Sequence, residues 1–379
     1  MNKKVGIATI AMERTYNYGN KLQNFALQEF LREHGYQPET IRYEPGYLET
    51  AVERKESLVR KLTKQSVQQS VHDAIRIVKR SIFRRKLDAV RRNREEKIEA
   101  FEQCYINYTK EKYNSNSDLT KLGESYHRVI TGSDQVWNPY YEGQEPIYYL
   151  GFVPKEKRIA YAPSVAVSEI PQKWKAQYRH WIMGIDRLSV REIDTQIMLK
   201  NEFALDAKVV CDPVFLLTQE QWKRLATTPG VRKPYFAVYI LGKRTVQTDR
   251  LIRTYERGYQ MKAVDVYSRD NVDAEFAGLE EFLGLVQHAE FVLTDSFHGS
   301  AFAIVFQRPM VIVKRDNDPN NSRVASILQI LGIGERDARD IVFQKEKMPI
   351  DYSAVSPKLD AFVEMSKTFL LSALEDTPH

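Results

Sequence analysis

The fold is decided by residues 4–43, KVGIATIAMERTYNYGNKLQNFALQEFLREHGYQPETIRY. The apolar run Val5–Ile10 predicts a β-strand that ends in a polar turn at residues 16–20. Apolar residues then recur three or four apart, which predicts a helix with one buried face, at Leu22, Phe25, Ala26 and Phe30. Gly35 ends this helix, and residues 40–43 predict the next strand. Strand, turn, helix and strand in this order form the βαβ unit of a parallel sheet.

The same pattern continues along the chain in two series, separated by a break at residues 227–234. The first series predicts strands at His127–Thr131, Arg158–Tyr161, Arg187–Val190 and Lys208–Cys211. The second predicts strands at Tyr235–Leu241, Ala263–Tyr267, Phe291–Thr294 and Pro309–Val313, with helices at 279–289 and 299–306. A last helix is predicted at 356–374. We therefore expect an α/β fold of two Rossmann-like domains that face a cleft, residues 1–205 and 206–379, with a C-terminal helix. The segment Lys208–Leu217 either closes the first domain or opens the second.

A basic helical insertion is predicted in the first domain, at about residues 52–104. Residues 51–100 carry a net charge of +8, whereas the remainder of the 379-residue chain carries −2. This distribution disfavours a protein that coats nucleic acid, and Phe83 is the only aromatic residue of the segment. An apolar stripe recurs at helical spacing, at Val71, Ile75, Val78 and Ile82. The segment is then a helix packed on its own domain with a solvated cationic face, or else a face at 76–92 that docks on an anionic membrane surface.

Composition and missing motifs exclude several classes of protein. Hydrophobic residues make up 43% and charged residues 28% of the chain, as in ordinary globular proteins. Cys104 and Cys211 are too few for a zinc or iron–sulfur site, and no metal ligation is expected. Neither a P-loop nor the patterns GxGxxG, HExxH and GxSxG occur. The first apolar run stops at Glu13 and Arg14 and has no small-residue cleavage site, so it predicts a β-strand and not a signal peptide. No stretch is long enough to span a bilayer. We expect a cytoplasmic protein, or one held at the inner face of the membrane.

The segment Leu293–Ser300, LTDSFHGS, is the most informative candidate for a site. It follows a predicted buried strand and opens a helix, and a helix start offers free N–H groups to a phosphate or carboxylate. His298 is a candidate general acid or base because its ordinary pKa lies near neutrality. Gly299 would let a ligand approach the backbone. The alternative is that Asp295 or Ser296 caps the helix and His298 packs.

Other polar segments follow predicted strands, where open α/β sheets bind ligands. Arg191 either grips a phosphate or carboxylate or pairs with neighbouring acids. Residues 131–138, TGSDQVWN, combine hydroxyls, a carboxylate, amides and an indole, a mixture suited to sugars, or they simply cap a helix over a buried Trp137. Residues 17–20 are a capping turn or a donor-lined rim. Arg323, in a segment that follows Lys314 and Arg315, adds positive charge near an anion or lies in a solvated loop.

Taken in order, these segments resemble the polysaccharide pyruvyl transferase family over about residues 4–333. The similarity is carried by YGNKLQN at 18–24, GSDQVWN at 132–138, YAPS at 161–164, SVRE at 189–192, DPVFLL at 212–217, TDSFHG at 294–299 and NSR at 321–323. The resemblance implies a fold like that of the two-domain GT-B glycosyltransferases. It also implies transfer of pyruvate from phosphoenolpyruvate to two hydroxyls of a sugar in a cell-surface glycan, with no further cofactor.

The resemblance also implies roles for individual residues. His298 matches the family's acid or base, and Arg191 matches an arginine that holds the donor's charged groups. Many members carry Arg two residues before this histidine, where this chain has Ser296. That departure puts donor binding in doubt at one point, and Arg323 or Lys314 is expected to compensate.

We predict three groups of site residues. The catalytic group is His298, Arg191 and Asp134. The donor-binding group is Asn17, Gly19, Asn20, Ser296, Gly299, Ser300, Lys314 and Arg323. The acceptor-binding group is Gln135, Trp137, Asn138 and Ser164. The expected partners are phosphoenolpyruvate and a glycan acceptor, lipid-linked or polymeric, and not nucleic acid. Two alternatives remain open: a GT-B-like glycosyltransferase that uses a nucleotide sugar, and a non-catalytic glycan-binding protein whose affinity depends on Trp137.

Overall fold

The structure is a computed structural model of the chain. It describes residues 3–10, 17–43, 88–90, 92–114, 116–140, 145–167, 169–267, 278–315 and 321–375. Most of the predicted basic insertion lies outside these residues, so its apolar stripe and most of its predicted membrane face are not described.

The first half of the chain forms a seven-stranded parallel sheet in the order β3-β2-β1-β4-β5-β6-β7. Its strands are β1 (Lys4–Ala8), β2 (Gln37–Tyr43), β3 (Tyr108–Tyr113), β4 (Arg128–Thr131), β5 (Arg158–Ala160), β6 (Arg187–Val190) and β7 (Lys208–Val209). β1 lies between β2 and β4, with Val5 beside Pro38 on one side and Arg128 on the other. A central first strand with crossovers to both sides is the Rossmann-like arrangement.

Helices connect these strands. They are α1 (Tyr18–Glu33), α2 (residues 92–105), α3 (Asn116–Glu124), α4 (Gln172–Met183) and α5 (Ile193–Phe203). Gly35 follows α1 with φ of +78°, a backbone conformation that favours glycine and so turns the chain into β2. Short 3₁₀ turns lie at Pro146–Tyr149, Lys155–Lys157, Pro213–Phe215 and Lys345–Lys347.

The second half forms a four-stranded parallel sheet in the order β11-β10-β8-β9. Its strands are β8 (Tyr235–Tyr239), β9 (Lys262–Tyr267), β10 (Val292–Thr294) and β11 (Met310–Ile312). Its helices are α6 (Gln219–Leu225), α7 (Val246–Tyr259), α8 (Leu279–His288), α9 (Phe297–Val305), α10 (Asn321–Leu331) and α11 (Ala338–Ile341). Thr218 and Gln221 form a capping box that starts α6, and the Ser296 side chain caps α9.

The last helix, α12 (Tyr352–Glu375), returns from the second half to the first. The Ser366 hydroxyl accepts a hydrogen bond from the backbone N–H of Cys211 at 2.9 Å. Near the end of α12, the carbonyl of Leu374 lies 2.9 Å from Nε2 of His127, just before β4. The helix is therefore hydrogen-bonded to the first half at two points.

A hydrophobic core runs across the boundary between the halves. The Trp222 ring packs edge-on against Phe25 of α1 at 5.7 Å and against Phe302 of α9 at 4.9 Å. Burial of such large aromatic rings is a strong stabilising contribution. The first helix is thus packed against both its own sheet and the second half.

The predicted fold class, two Rossmann-like halves with a C-terminal helix, is confirmed. Strand β3 is an addition, since the sequence analysis did not predict it. The strand at Lys208–Val209, whose membership was open, pairs with β6 and belongs to the first sheet. The division at 205/206 itself stays a prediction.

Helix α2, the end of the basic insertion, contacts both halves. Lys21 of α1 forms a 2.6 Å ion pair with Glu102, and Lys97 pairs with Glu281 of α8. The Arg94 guanidinium is buried and lies 4.8 Å from the centre of the Tyr267 ring. The sequence predicts that the insertion packs on its own domain. The described part of it instead contacts both halves of the chain. No helix among the described residues is both long and apolar enough to cross a bilayer.

Candidate active site

The residues predicted to be catalytic lie together between the two halves. Asp134 follows β4, Arg191 follows β6, and His298 lies in the first turn of α9 after β10. Strands of a parallel sheet end at the same edge, so the side chains that follow β4 and β6 are brought close. The second half then places His298 against them.

Arg191 is the centre of this cluster. Its Nε donates to Glu192 Oε1 at 2.9 Å, and its first terminal nitrogen donates to Asp212 Oδ2 at 2.8 Å. The guanidinium also lies 4.2 Å from the centre of the Phe297 ring. Burial disfavours the charge, but Glu192, Asp212 and Asp134 outweigh it and hold the pKa of Arg191 above its ordinary value. Arg191 is therefore a permanent buried cation.

Asp212 is shared by three partners. Its Oδ2 accepts hydrogen bonds from Arg191 and, at 3.0 Å, from the Ser133 hydroxyl, and lies 3.5 Å from His298 Nε2. Burial would raise the pKa of Asp212, but His298 and Arg191 lower it well below the ordinary value. Asp212 was named only within a motif by the sequence analysis and given no role, yet it is the carboxylate that joins Arg191 to His298.

His298 is fixed by a close approach of the two halves. A Cβ added to Gly19 of α1 would lie 2.1 Å from the imidazole Cγ, so only glycine fits there. Nε2 of His298 is buried and, at 3.5 Å from Asp212, has no hydrogen-bond partner within the described structure. The ring is thus held in place with one nitrogen available to a ligand.

Asp134 lies between two arginines. Its Oδ2 accepts a 3.4 Å hydrogen bond from Asn20, while its Oδ1 lies 3.8 Å from Arg191 and 3.9 Å from Arg323 of α10. Both distances are too long for hydrogen bonds. Burial and the nearby Arg191 lower the pKa of Arg323 to about 10. Two buried guanidiniums therefore face one carboxylate oxygen without hydrogen-bonding to it.

Gln23 of α1 was not predicted as a site residue, but it orders the loop that carries Asp134. Its side-chain oxygen accepts from the Ser133 N–H at 3.2 Å, and its amide nitrogen donates to the Thr9 hydroxyl at 3.1 Å. The Thr9 hydroxyl in turn donates to the Ser133 carbonyl. This explains why the motif at 18–24 carries an amide at this position.

Several predicted donor-binding residues make contacts within the fold. The Ser296 hydroxyl accepts from the Gly299 N–H at 3.4 Å, and the Ser300 hydroxyl donates to the Ser296 carbonyl. A Cβ on Gly299 would lie 2.3 Å from Thr294 Oγ1, so its missing side chain makes room for the end of β10. Lys314 is near Glu335 and Asp337, at 3.6 and 3.8 Å, and does not join the arginines.

Three of the predicted acceptor residues, Trp137, Asn138 and Ser164, are buried, and Gln135 is half-buried. Trp137 is fully buried, donates to the Tyr148 carbonyl at 2.9 Å and stacks on Tyr149. This corrects its predicted role, because the indole presents no face to a sugar. Asn138 donates to the side chain of the half-buried Gln135 at 2.7 Å.

The remaining polar groups at this edge include atoms that lack partners. Within the described residues, the Ser164 hydroxyl and Asn17 Oδ1 are buried without a hydrogen bond, as are Asp134 Oδ1 and the second terminal nitrogen of Arg191. Buried polar groups in native proteins are normally paired, and each exception calls for an explanation. A polar ligand between the halves would supply these partners. Among the described residues, no three His, Cys, Asp or Glu side chains gather as metal ligands.

Comparison with known proteins places the chain in a family. The model of the polysaccharide pyruvyl transferase family matches residues 17–317. No curated protein matches the chain significantly.

Solved structures with a similar course of the chain are distant in sequence. UDP-GlcNAc 2-epimerase from Methanocaldococcus jannaschii is 13% identical, with 91% of this chain and 92% of that chain covered and a TM-score of 0.49. The epimerase from Neisseria meningitidis is 11% identical, covers 98% and 100%, and has a TM-score of 0.47. The Streptomyces sp. SF2575 glycosyltransferase SsfS6 is 11% identical, covers 98% and 99%, and has a TM-score of 0.43.

The family match spans far more than half of the chain and includes every residue of the cluster except Arg323, which lies a few positions beyond its end. The chain belongs to the polysaccharide pyruvyl transferase family.

Proposed function

We propose that the protein transfers pyruvate from phosphoenolpyruvate to two hydroxyls of one glycan sugar. The products are a cyclic ketal and inorganic phosphate, and the reaction belongs to cell-surface or exopolysaccharide biosynthesis. The observation that carries the proposal is a pair of buried guanidinium groups, Arg191 and Arg323, in one cluster with His298 in a chain of this family.

The arginines supply what an anionic donor requires. Phosphoenolpyruvate carries a carboxylate and a phosphate, and guanidinium groups bind both with two parallel hydrogen bonds. The second terminal nitrogen of Arg191 lacks a hydrogen bond within the described residues and is available to such oxygens, and Arg323 adds a second buried guanidinium on the other side of Asp134. Burial strengthens this attraction because charges in a dry site are poorly screened.

Arg323 is our candidate for the charge that Ser296 does not provide. Ser296 caps α9 and brings no cation, whereas Arg323 lies 3.9 Å from the same Asp134 oxygen that faces Arg191. Lys314 is occupied with Glu335 and Asp337 on a different side. Arg323 therefore fits compensation better than Lys314.

His298 is suited to move the protons of the reaction. Protonation of the methylene carbon of phosphoenolpyruvate creates an oxocarbenium-like centre at C2, which one sugar hydroxyl attacks. Phosphate then leaves with the C2–O bond electrons, and the second hydroxyl closes the ketal. Of the two hydroxyl protons, one balances the new C–H bond and the other leaves with phosphate. General acid–base catalysis of this kind contributes roughly 10²–10⁴-fold.

Asp212 holds the imidazole by charge. The carboxylate lies 3.5 Å from Nε2 and is kept ionised by Arg191, so it would stabilise an imidazolium during the proton transfers. Asp134, with one oxygen unpartnered, is our candidate for the group that accepts a hydroxyl proton.

The acceptor would enter at the rim formed by Gln135, Asn138 and Ser164. Gln135 is half-buried, and the Ser164 hydroxyl is unpartnered. A lipid-linked acceptor and docking through residues 76–92 at the inner face of the cell membrane remain proposals. Burial of Trp137 removes the feature on which a purely glycan-binding function would depend.

The test is phosphate release from phosphoenolpyruvate with a panel of acceptor glycans. His298→Ala should reduce the rate at least about 100-fold, because it removes the proton-transfer group. The matched control is His180→Ala, because His180 is exposed on α4. This variant should release phosphate at the wild-type rate. Near-normal turnover of His298→Ala would overturn the mechanism. Thermal stabilisation by a nucleotide sugar and not by phosphoenolpyruvate would favour the glycosyltransferase alternative.

A further inference from the structure

Tyr239, the last residue of β8, has a fully buried side chain whose hydroxyl lacks a hydrogen-bond partner in the described structure. Buried tyrosine hydroxyls usually find a partner. Two other buried tyrosines of this half show the usual case, because the Tyr235 hydroxyl donates to the Leu285 carbonyl at 2.9 Å and the Tyr255 hydroxyl donates to the Ala338 carbonyl at 2.8 Å. An unpaired hydroxyl in the same core therefore needs a reason.

Tyr239 lies beside the contact that fixes His298. Its ring is parallel to that of Tyr18, with centres 6.2 Å apart, and a Cβ added to Gly299 would lie 2.9 Å from its Cδ1. Gly19, which follows Tyr18, lies against the ring of His298, which precedes Gly299. This contact joins the two halves. The tyrosine thus flanks the cluster from the second half.

The surroundings keep the hydroxyl protonated. Burial raises the pKa of Tyr239 well above its ordinary value, and Tyr267, Tyr18, Asp295 and Asp134 raise it further. Asp134, the last of these four, is the carboxylate that faces Arg191 and Arg323. At neutral pH the phenol is a neutral donor that has no acceptor among the described residues.

We propose that Tyr239 contacts the substrate, and that its hydroxyl donates a hydrogen bond to an oxygen of the anionic donor bound between the halves. This assignment rests on the proposed function and deepens it. It gives the site a neutral donor from the second half beside the charged donors, and so helps to select the donor's orientation. It also gives a role to a buried hydroxyl that has no hydrogen-bond partner among the described residues.

The experiment compares Tyr239→Phe with Tyr235→Phe, on the same strand. Phosphoenolpyruvate binding is measured by titration calorimetry, and stability by urea unfolding. Tyr239→Phe should bind at least about tenfold more weakly, with an unfolding midpoint equal to or above that of the wild type, since the lost hydroxyl had no partner. Tyr235→Phe should show the reverse, a lower midpoint and unchanged affinity.

The two possible failures can be told apart. If the wild-type protein binds phosphoenolpyruvate and Tyr239→Phe binds it equally well, the assignment of Tyr239 is overturned while the proposed function stands. If the wild-type protein does not bind phosphoenolpyruvate, the proposed function is overturned and the assignment falls with it. A lowered unfolding midpoint for Tyr239→Phe with unchanged affinity would show that the hydroxyl serves the fold.

Discussion

Replacing Asp212 by Asn tests whether one carboxylate holds the cluster together. The amide keeps the shape of the side chain, and its oxygen can take the place of Oδ2, which accepts from Arg191 at 2.8 Å and from Ser133 at 3.0 Å. Its NH2 group then takes the place of Oδ1 and cannot accept from the Val214 N–H, which lies 3.1 Å away. The variant therefore weakens both bonds at Oδ2 by removing the charge and loses the bond to Val214.

The expected loss follows from these contacts. A hydrogen bond to a charged group contributes about 1.5–3 kcal/mol and a neutral one about 0.5–1.5, so two weakened bonds cost roughly 2–3 kcal/mol and the lost bond to Val214 adds about 1 kcal/mol. Breaking a buried ion pair outright costs about 3–5 kcal/mol, but Glu192 still pairs with Arg191 at 2.9 Å and limits the loss. We expect the free energy of unfolding at pH 7 to fall by about 3–4 kcal/mol.

The pH dependence has a definite sign. The pKa of Asp212 is lower in the folded protein, so its contribution is fully present above the unfolded value near 3.9 and is lost as the pH falls toward the folded value. Each pH unit below about 3.9 removes roughly 1.4 kcal/mol from the wild type but not from the variant. The difference between the two proteins should therefore narrow by about 1 kcal/mol between pH 7 and pH 3.

Urea unfolding of both proteins at these two pH values measures the difference. Groups that lie away from the cluster titrate alike in both proteins and cancel. The control is Asp206→Asn, because this side chain is 92% exposed and should leave stability unchanged. Equal stability of wild type and Asp212→Asn at pH 7, or a difference independent of pH, would refute the assigned role.

Two further substitutions test the packing around the site. Gly19→Ala should lower both the free energy of unfolding and turnover, because the added Cβ would lie 2.1 Å from the His298 ring. Alanine is the better helix former by about 0.5–1 kcal/mol, so without this clash the variant would be more stable. A gain in unfolding free energy would contradict the contact. Trp137→Phe should lower the free energy of unfolding by about 1–2 kcal/mol through loss of the hydrogen bond to Tyr148, while glycan affinity of the folded protein, measured by calorimetry, stays unchanged.

The parts of the fold that were predictable are those in which apolar periodicity is strong. The unit at residues 4–43 was predicted because β1 and α1 are buried elements with clear patterns. Strand β3, with sequence YTKEKY, was missed because it is an edge strand with exposed Lys and Glu side chains, and it therefore lacks an apolar run.

The site was predictable only in part. Arg191, Asp134 and His298 were predicted as candidates because each follows a buried strand, where parallel sheets place their functional groups, and the structure brings them together. A role for Tyr239 could not be predicted from the sequence, because the run YFAVY predicts a buried strand in which its ring belongs to the core. Its hydroxyl is seen to lack a partner only in the described structure. The sequence also could not separate Lys314 from Arg323, since their partners come from distant segments.

The charge of the cluster bears on how the proposed donor would bind. Among the described residues, two guanidinium groups, Arg191 and Arg323, face three carboxylates, Asp134, Asp212 and Glu192. Phosphoenolpyruvate, a trianion near neutral pH, would add to the excess of carboxylates over guanidiniums. The repulsion between the donor and these carboxylates is reduced if a proton enters the buried site with the donor. The proposed reaction needs a proton at the same place, for the methylene carbon of phosphoenolpyruvate. A buried histidine with an unpartnered nitrogen, held 3.5 Å from a carboxylate that stays ionised, is the group able to bring it. Donor binding and the first proton transfer are then two consequences of one arrangement of charges.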